Sequence, residues 1–156
     1  MNVPPSKILL VEDDPRDVEL TLTALAEHHL ANEVVVAHDG EEALHFLRRS
    51  GPFRLRTPGN PAVVLMDLKL PKLSGVEVLE RLREDPQLRA IPVVMLTSSR
   101  EETDIHRSYD RGANAYVVKP VHFGEFVESI KELGLFWAVI NQPPPGSGNG
   151  SPAGEA

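Results

Sequence analysis

The sequence predicts a doubly wound α/β fold with a five-stranded parallel sheet, and two observations support this prediction. Four runs of consecutive apolar residues, ILLV, VVLM, VVML and AYVV, each end in a polar residue. Such runs are typical of strands that are buried on both faces of a parallel sheet. Between them lie segments whose apolar residues recur at helical spacing, and this alternation indicates βα units.

The elements follow one another in chain order. ILLV is the first strand, the weaker run VVV at 34–36 is the second, and VVLM, VVML and AYVV are the third, fourth and fifth. Four helices are indicated by apolar residues at helical spacing. These residues are Val18, Leu22 and Leu25; Ala43, Leu44 and Leu47; Val78, Leu79 and Leu82; and Phe123, Phe126, Val127 and Ile130.

Polar residues at two predicted helix starts agree with this division. Asp14 is placed to cap the first helix, with Pro15 at the first helical position. Asp39 and Glu42 match the capping-box pattern before the second helix.

The chain has 156 residues, 41% of them apolar, which suits one compact domain. We expect an N-terminal arm at 1–6, a domain at 7–140 that ends in an extended last helix, and a disordered tail at 141–156, which is rich in proline and glycine. Residues 51–61, with three prolines and two glycines, predict an extended surface loop. Its arginines, with Arg48 and Arg49, form a basic cluster that we interpret as a solvated loop edge.

The net charge of −7 disfavours sequence-independent binding to nucleic acid and to anionic membranes. The chain has no cysteine, which excludes disulfides and thiolate zinc sites. No apolar run approaches the roughly 18 residues of a membrane span, and the start, MNVPPSK, lacks the apolar core of a signal peptide. We therefore expect a cytoplasmic protein with neither nucleic acid nor membrane as a direct partner.

Polar residues stand where the predicted strands end. Glu12 and Asp13 follow the first strand, Asp67 the third, Thr97 the fourth and Lys119 the fifth. The carboxyl ends of parallel strands share one edge, and ligands bind there in open α/β sheets. The sequence therefore predicts one site that joins three carboxylates, a hydroxyl and an ammonium.

Three carboxylates in one site repel one another. At about 4 Å and an effective dielectric near 20, each pair costs on the order of 4 kcal/mol. Protonation would relieve this repulsion by raising carboxyl pKa values, whereas Mg²⁺, which takes oxygen ligands, would relieve it at neutral pH. An ammonium beside a bound cation is best explained by a further anion, so Lys119 points to a phosphoryl group, with Thr97 as a hydrogen-bond donor.

An ionised aspartate can itself be the nucleophile in phosphoryl transfer. Asp67 is the candidate because it stands alone at the end of the most apolar strand. Glu12 and Asp13 are adjacent and suit a metal clamp instead.

The motifs ILLVEDD, VVLMDLKLPKLSG, VVMLTSS and AYVVKP resemble, in this order, the receiver domain of bacterial two-component response regulators over about residues 7–133. The resemblance implies a flavodoxin-like receiver fold with strand order 2-1-3-4-5. It implies that Asp67 accepts a phosphoryl group from a phosphohistidine on a sensor histidine kinase. Asp13, Asp67 and the backbone carbonyl of Lys69 would hold Mg²⁺, and Glu12 would bind through a water on the metal.

The same resemblance assigns roles on the phosphoryl side of the site. Lys119 would pair with the phosphoryl group, and Thr97 and Tyr116 would form the switch. The peptide bond before Pro120 would be cis.

A narrower resemblance concerns the segment SSREETDIHRSYDRGANAYVVKPV and the ending LGLFWAVINQPP. Both are similar to single-domain regulators that are paired with bacterial phytochromes. Such a regulator would pass its signal on by contact with another protein, or would act as a phosphoryl sink.

Apolar residues continue beyond the last predicted helix. Phe136, Trp137 and Ile140 either cap the core or form a homodimer contact. We favour the dimer, because a Trp-Phe pair on a terminal helix suits an interface anchor.

Three other functions fit the sequence less well. An aspartyl-phosphate phosphatase would need a second acid shortly after its nucleophile, where Lys69 stands. A flavodoxin-like cofactor binder would need a first loop rich in glycine, serine and threonine, whereas residues 12–14 are all acidic. A receiver-shaped module that is never phosphorylated is disfavoured because the set of acids, hydroxyl and lysine is complete.

Overall fold

The computed structural model describes residues 7–27, 30, 33–98, 112–135 and 139. Five parallel strands form one sheet in the order β2-β1-β3-β4-β5. The strands are β1 (Ile8–Val11), β2 (Val34–Ala37), β3 (Val63–Asp67), β4 (Val93–Thr97) and β5 (Ala115–Val118). The predicted doubly wound sheet and its strand order 2-1-3-4-5 are confirmed.

Four helices are described around this sheet: α1 (Pro15–Ala26), α2 (Gly40–Arg48), α3 (Gly75–Glu84) and α4 (Phe123–Glu132). The apolar faces of α2 and α3 pack on one side of the sheet and those of α1 and α4 on the other. All residues of β1, β3 and β4 are buried, as expected for strands covered on both faces.

The strand register fixes where the strand ends meet. Asp67 pairs with Leu96, and Thr97 pairs with Val118. The backbone hydrogen bonds between neighbouring strands continue one residue past β3 and β5. The Leu68 N–H donates to the Leu96 carbonyl at 3.1 Å, and the Lys119 N–H donates to the Thr97 carbonyl at 2.8 Å. The polar residues at the carboxyl ends of β1, β3, β4 and β5 therefore lie along one edge of the sheet.

The predicted cap of α1 is confirmed, and that of α2 differs in one detail. Asp14 precedes Pro15, the first residue of α1, and its side chain accepts hydrogen bonds from first-turn N–H groups. Asp39 accepts from the Glu42 N–H at 2.7 Å. The Glu42 carboxylate reaches back to the N–H of His38 at 2.8 Å, so the reciprocal bond falls one residue earlier than in a capping box.

A full capping box begins α3, where the sequence analysis predicted none. Ser74 accepts from the Glu77 N–H at 3.2 Å, and the Glu77 side chain accepts from the Ser74 N–H at 3.0 Å. Two N–H groups that the first turn cannot bond are thereby satisfied. This box fixes the start of the helix that follows Asp67.

The loop between α2 and β3 is more ordered than an extended surface loop. It begins with a 3-10 turn, Gly51–Phe53. The Arg56 guanidinium lies 4.2 Å from the centre of the Phe46 ring, and its Nε donates to the Phe46 carbonyl at 2.6 Å. Arg56 therefore anchors the loop to α2, while Leu55 beside it is 87% exposed.

The last helix ends earlier than predicted. Gly134 takes a positive φ of 73°, its N–H donates to the Lys131 carbonyl, and the Leu135 N–H donates to the Ile130 carbonyl, both at 3.0 Å. This pair of bonds is a Schellman motif, which ends a helix, so α4 does not run unbroken to residue 140.

The expected N-terminal arm at 1–6 and the expected tail at 141–156 lie outside the described residues. Within the described part, the longest helix has 12 residues. No helix there combines the length and the apolar character that a membrane span requires.

Candidate functional site

Three carboxylates meet at the carboxyl edge of the sheet. Glu12 follows β1 and is fully buried, Asp67 ends β3 and is buried, and Asp13 is exposed at the mouth of the site. One carboxylate oxygen from each residue lies within 4.8 Å of the others. The structure thus brings together the three acids that the sequence pointed to.

Lys119 lies among these acids and contacts a fourth. Its Nζ is 3.0 Å from Glu12 Oε1, 3.0 Å from Asp67 Oδ2 and 2.8 Å from Asp17 Oδ2. Its side chain is only 11% exposed. An ammonium has three N–H donors, so three carboxylates use the whole donor capacity of Lys119.

Asp17 is the site residue that the sequence analysis missed. It lies in the first turn of α1, the helix that begins directly after Asp13 and the N-cap residue Asp14. The signal that could have predicted its role is an acidic residue in the first turn of the helix that follows the strand-end acids Glu12 and Asp13. Even with the helix start predicted, that signal is indistinguishable from an ordinary acidic first turn, which is common near helix N-termini.

Burial and charge shift the pKa values of two groups in the site. Burial raises the pKa of Glu12 to about 7, and repulsion from Asp67 acts in the same direction. Bonds from Lys119 and from the Asp14 N–H oppose this rise. Burial alone would lower the pKa of Lys119, but its hydrogen bonds to Asp17, Asp67 and Glu12 outweigh burial and raise it. Lys119 therefore stays protonated at neutral pH, whereas Glu12 exchanges between its protonated and its ionised form there.

The donor set fits a hard divalent cation such as Mg²⁺. Glu12, Asp13 and Asp67 offer carboxylate oxygens close together, which is the ligand type that Mg²⁺ prefers. Lys69 follows in the loop after β3, and its N–H lies 3.4 Å from Asp67 Oδ1. The use of its carbonyl as a metal ligand stays a prediction.

The two predicted switch residues lie on the neighbouring strands. Thr97 is the last residue of β4 and is buried. Tyr116 on β5 pairs with Met95 and packs, partly buried, against the core on the α2–α3 side of the sheet. The peptide bond between Lys119 and Pro120 is cis.

A cavity of about 520 Å³ opens beside the carboxylates. Asp13 and Lys69 line it together with apolar residues of the loop after β3 and the start of α3, among them Leu68, Pro71 and Val76. The cavity therefore opens to solvent at Asp13, the exposed acid of the cluster.

The proposed dimer face, Phe136, Trp137 and Ile140, lies outside the described residues. Val139, between them, is described and is buried against the α1–α4 side of the core. The homodimer contact stays a prediction.

Comparisons with known proteins show which family the chain belongs to. The family model described as "Response regulator receiver domain" matches residues 8–131. The chain is 36% identical over 134 residues to the response regulator Rcp1 of Synechocystis sp., covering 86% of this chain and 90% of Rcp1. A solved structure of the bacteriophytochrome response regulator AtBRR is similar with a TM-score of 0.80 and 59% identity, covering 90% of this chain and all of AtBRR.

Two further similar structures are of a phosphorylated protein and of a metal-bound protein. One is the phosphorylated cyanobacterial phytochrome response regulator RcpA, with a TM-score of 0.70 and 38% identity, covering 90% of this chain and 99% of RcpA. The other is the Mn²⁺-bound form of Rcp1, with a TM-score of 0.68 and 34% identity, covering 86% of this chain and 95% of Rcp1. The family model matches most of the chain, and the fold and the strand-end cluster of acids agree with it. The chain therefore belongs to the response regulator receiver family.

Proposed function

We propose that Asp67 is the phosphoacceptor of a signalling switch and receives its phosphoryl group from a phosphohistidine on a sensor histidine kinase. The reaction forms a bond between an Asp67 carboxylate oxygen and phosphorus, and breaks the phosphorus–nitrogen bond of the donor. The imidazole nitrogen leaves with the bonding electron pair. The chain is then a phosphoacceptor that assists its own phosphorylation and dephosphorylation.

The observation that carries this proposal is the contact of 3.0 Å between Asp67 Oδ2 and Lys119 Nζ beside two further carboxylates. Lys119 keeps a positive charge where a phosphoryl oxygen would arrive, which favours the transferred group electrostatically. Glu12, Asp13 and Asp67 would hold Mg²⁺, which when bound neutralises charge on the phosphoryl oxygens. Solved structures of two similar proteins support these roles: the phosphorylated one supports phosphoryl transfer, and the one bound to Mn²⁺ supports metal binding.

The partner we propose is a kinase of the bacterial phytochrome type. Support comes from the similarity to AtBRR and RcpA, both of which are phytochrome response regulators. The test is phosphotransfer to this chain from a panel of purified kinases, at equal concentrations. A phytochrome kinase should transfer at least about tenfold faster than the others, and no exchange with Asp67 in either direction would exclude this pairing.

Phosphorylation would act through Thr97 and Tyr116. A phosphoryl group adds about two negative charges, and a hydroxyl donor at Thr97 would satisfy one of its oxygens. Movement of Thr97 would leave room for Tyr116 beside it. The receiver would then present a changed face to a second protein.

Intact mass after incubation with phosphoramidate tests the acceptor, with and without Mg²⁺. We expect one Mg²⁺-dependent phosphoryl adduct on the wild type and none on Asp67→Asn. Asp14→Asn is the matched control, because it removes a neighbouring charge while asparagine still caps α1. A folded wild-type protein that takes no adduct would instead be a receiver-shaped interaction module.

A further inference from the structure

The Lys119 ammonium has no hydrogen-bond donor left for a new anion. Its three N–H groups serve Asp17, Glu12 and Asp67 at distances of 2.8 to 3.0 Å. If Lys119 is to bind oxygens of a phosphoryl group while it keeps its other contacts, one of the three carboxylates must release it. The structure indicates which one.

The three carboxylates differ in how firmly they are held. Glu12 is fully buried and also accepts a bond from the Asp14 N–H at 3.2 Å. Asp67 is buried and is the proposed acceptor itself. The Asp17 side chain is 29% exposed, and in the described part of the chain its carboxylate makes no second hydrogen bond or ion pair. Water can therefore replace Lys119 at Asp17 more easily than at Glu12.

We propose that Asp17 is a positioning residue for Lys119, an inference that rests on the phosphorylation of Asp67 proposed above. In the resting protein, Asp17 holds the ammonium between α1 and the strand-end carboxylates. When a phosphoryl group arrives on Asp67, one N–H of Lys119 turns from Asp17 to a phosphoryl oxygen. Asp17 then faces solvent.

This exchange has a kinetic signature, because the Asp17 contact exists only before phosphorylation. Asp17→Asn should raise the rate constant for phosphorylation by phosphoramidate about two- to fivefold, the range expected for loss of a partly exposed ion pair. The rate of hydrolysis of phosphorylated Asp67 should stay unchanged, because in that state Asp17 no longer holds Lys119. A residue that only supported the fold would change both rates or neither.

Two variants distinguish an effect of the contact between Asp17 and Lys119 from an effect of negative charge on α1. Glu19→Gln removes a charge from an exposed position of α1 and should leave both rates unchanged. Asp17→Glu keeps the charge and the possibility of reaching Lys119, so it should restore the slower, wild-type rate of phosphorylation. If Glu19→Gln accelerated the reaction as much as Asp17→Asn, general repulsion of the anionic donor would explain the effect and the proposal would be wrong.

The ammonium of Lys119 can be observed directly in protein labelled with ¹⁵N at lysine Nζ. In the resting state, Asp17→Asn should shift the Lys119 signal and speed its proton exchange with water. After phosphorylation with phosphoramidate and Mg²⁺, wild type and variant should give the same signal. Identical resting spectra, or a difference that persists after phosphorylation, would overturn the proposal.

These measurements separate the two hypotheses. If wild-type Asp67 took no phosphoryl group, the proposed function would fail and the release of Asp17 with it. The resting spectra would still decide whether Asp17 holds Lys119. If wild type were phosphorylated and the two rates of Asp17→Asn changed equally, only the role of Asp17 would be rejected.

Discussion

Gly75 lies against Asp67 so closely that no β-carbon fits between them. A methyl group on Gly75 would collide with the Asp67 carbonyl oxygen and would stand 2.9 Å from the terminal methyl of Met95. The Gly75 N–H donates to the Leu68 carbonyl at 2.8 Å. The first residue of α3 is therefore packed directly on the strand end that carries the proposed phosphoacceptor.

Gly75→Ala should destabilise the protein by about 1–3 kcal/mol, because the backbone of β3 or α3 must move to admit the methyl group. Urea unfolding measures the loss. Gly124→Ala is the matched control, since Gly124 lies in α4 with no atom near its would-be β-carbon. The control should be neutral or stabilised by up to about 1 kcal/mol, the helix-propensity gain of alanine. Equal stability of the two variants would show that the close approach at Asp67 is not rigid.

Mg²⁺ should stabilise the folded chain, because a cation that binds only the native state shifts the unfolding equilibrium. At ten times the dissociation constant the gain is about 1.4 kcal/mol. Asp13→Asn should weaken this gain, since Asp13 is one of the three clustered acids and is the exposed one. Asp14→Asn, next to it, should keep the gain. A gain that survives Asp13→Asn in full would place the cation elsewhere.

Without divalent cations, stability should fall as pH rises from about 4.5 to 7. The pKa of Glu12 is raised from 4.5 to about 7 by burial and by Asp67, so in this window the folded state binds more protons than the unfolded state. Stability then declines with increasing pH, by on the order of 2 kcal/mol for this group. Glu12→Gln should flatten the dependence, measured by urea unfolding in EDTA. The same slope in the variant would assign the dependence to another group.

The sheet and the main site could be predicted from the sequence because both depend on local signals. Each buried strand is a run of apolar residues, and each polar residue after it must leave the sheet at the same edge. Glu12, Asp67 and Lys119 are predicted in this way, and in the structure the two carboxylates each accept a hydrogen bond from Lys119.

Contacts between a helix and a distant segment could not be predicted in this way. Asp17 reaches Lys119 across 102 positions of sequence, and that contact depends on how α1 is rotated against the sheet. Arg56 resembled any solvated arginine, because its partner, the Phe46 carbonyl, becomes available only at the end of α2. Long polar side chains that bond to backbone carbonyls leave no periodic signal.

Arg83 is the clearest example of such a contact. Its guanidinium donates to the Gly112 carbonyl at 2.7 and 3.0 Å, to the Ile91 carbonyl at 2.8 Å and to the Arg89 carbonyl at 2.9 Å. It also donates to Asn114 Oδ1 at 2.9 Å. One side chain on α3 therefore ties together the segments that lead into β4 and β5.

Arg83→Met should destabilise the protein by about 2–3 kcal/mol, because it leaves two partly buried acceptors, the carbonyls of Gly112 and Ile91, without this donor while the volume of the side chain is largely kept. Arg83→Lys should recover little, since an ammonium cannot reproduce the planar array of donors. Arg81→Met, at an exposed position of the same helix, should change stability by less than about 0.5 kcal/mol. The midpoint of urea unfolding measures all three, and a lysine variant as stable as wild type would mean that charge, rather than the shape of the guanidinium, joins these segments.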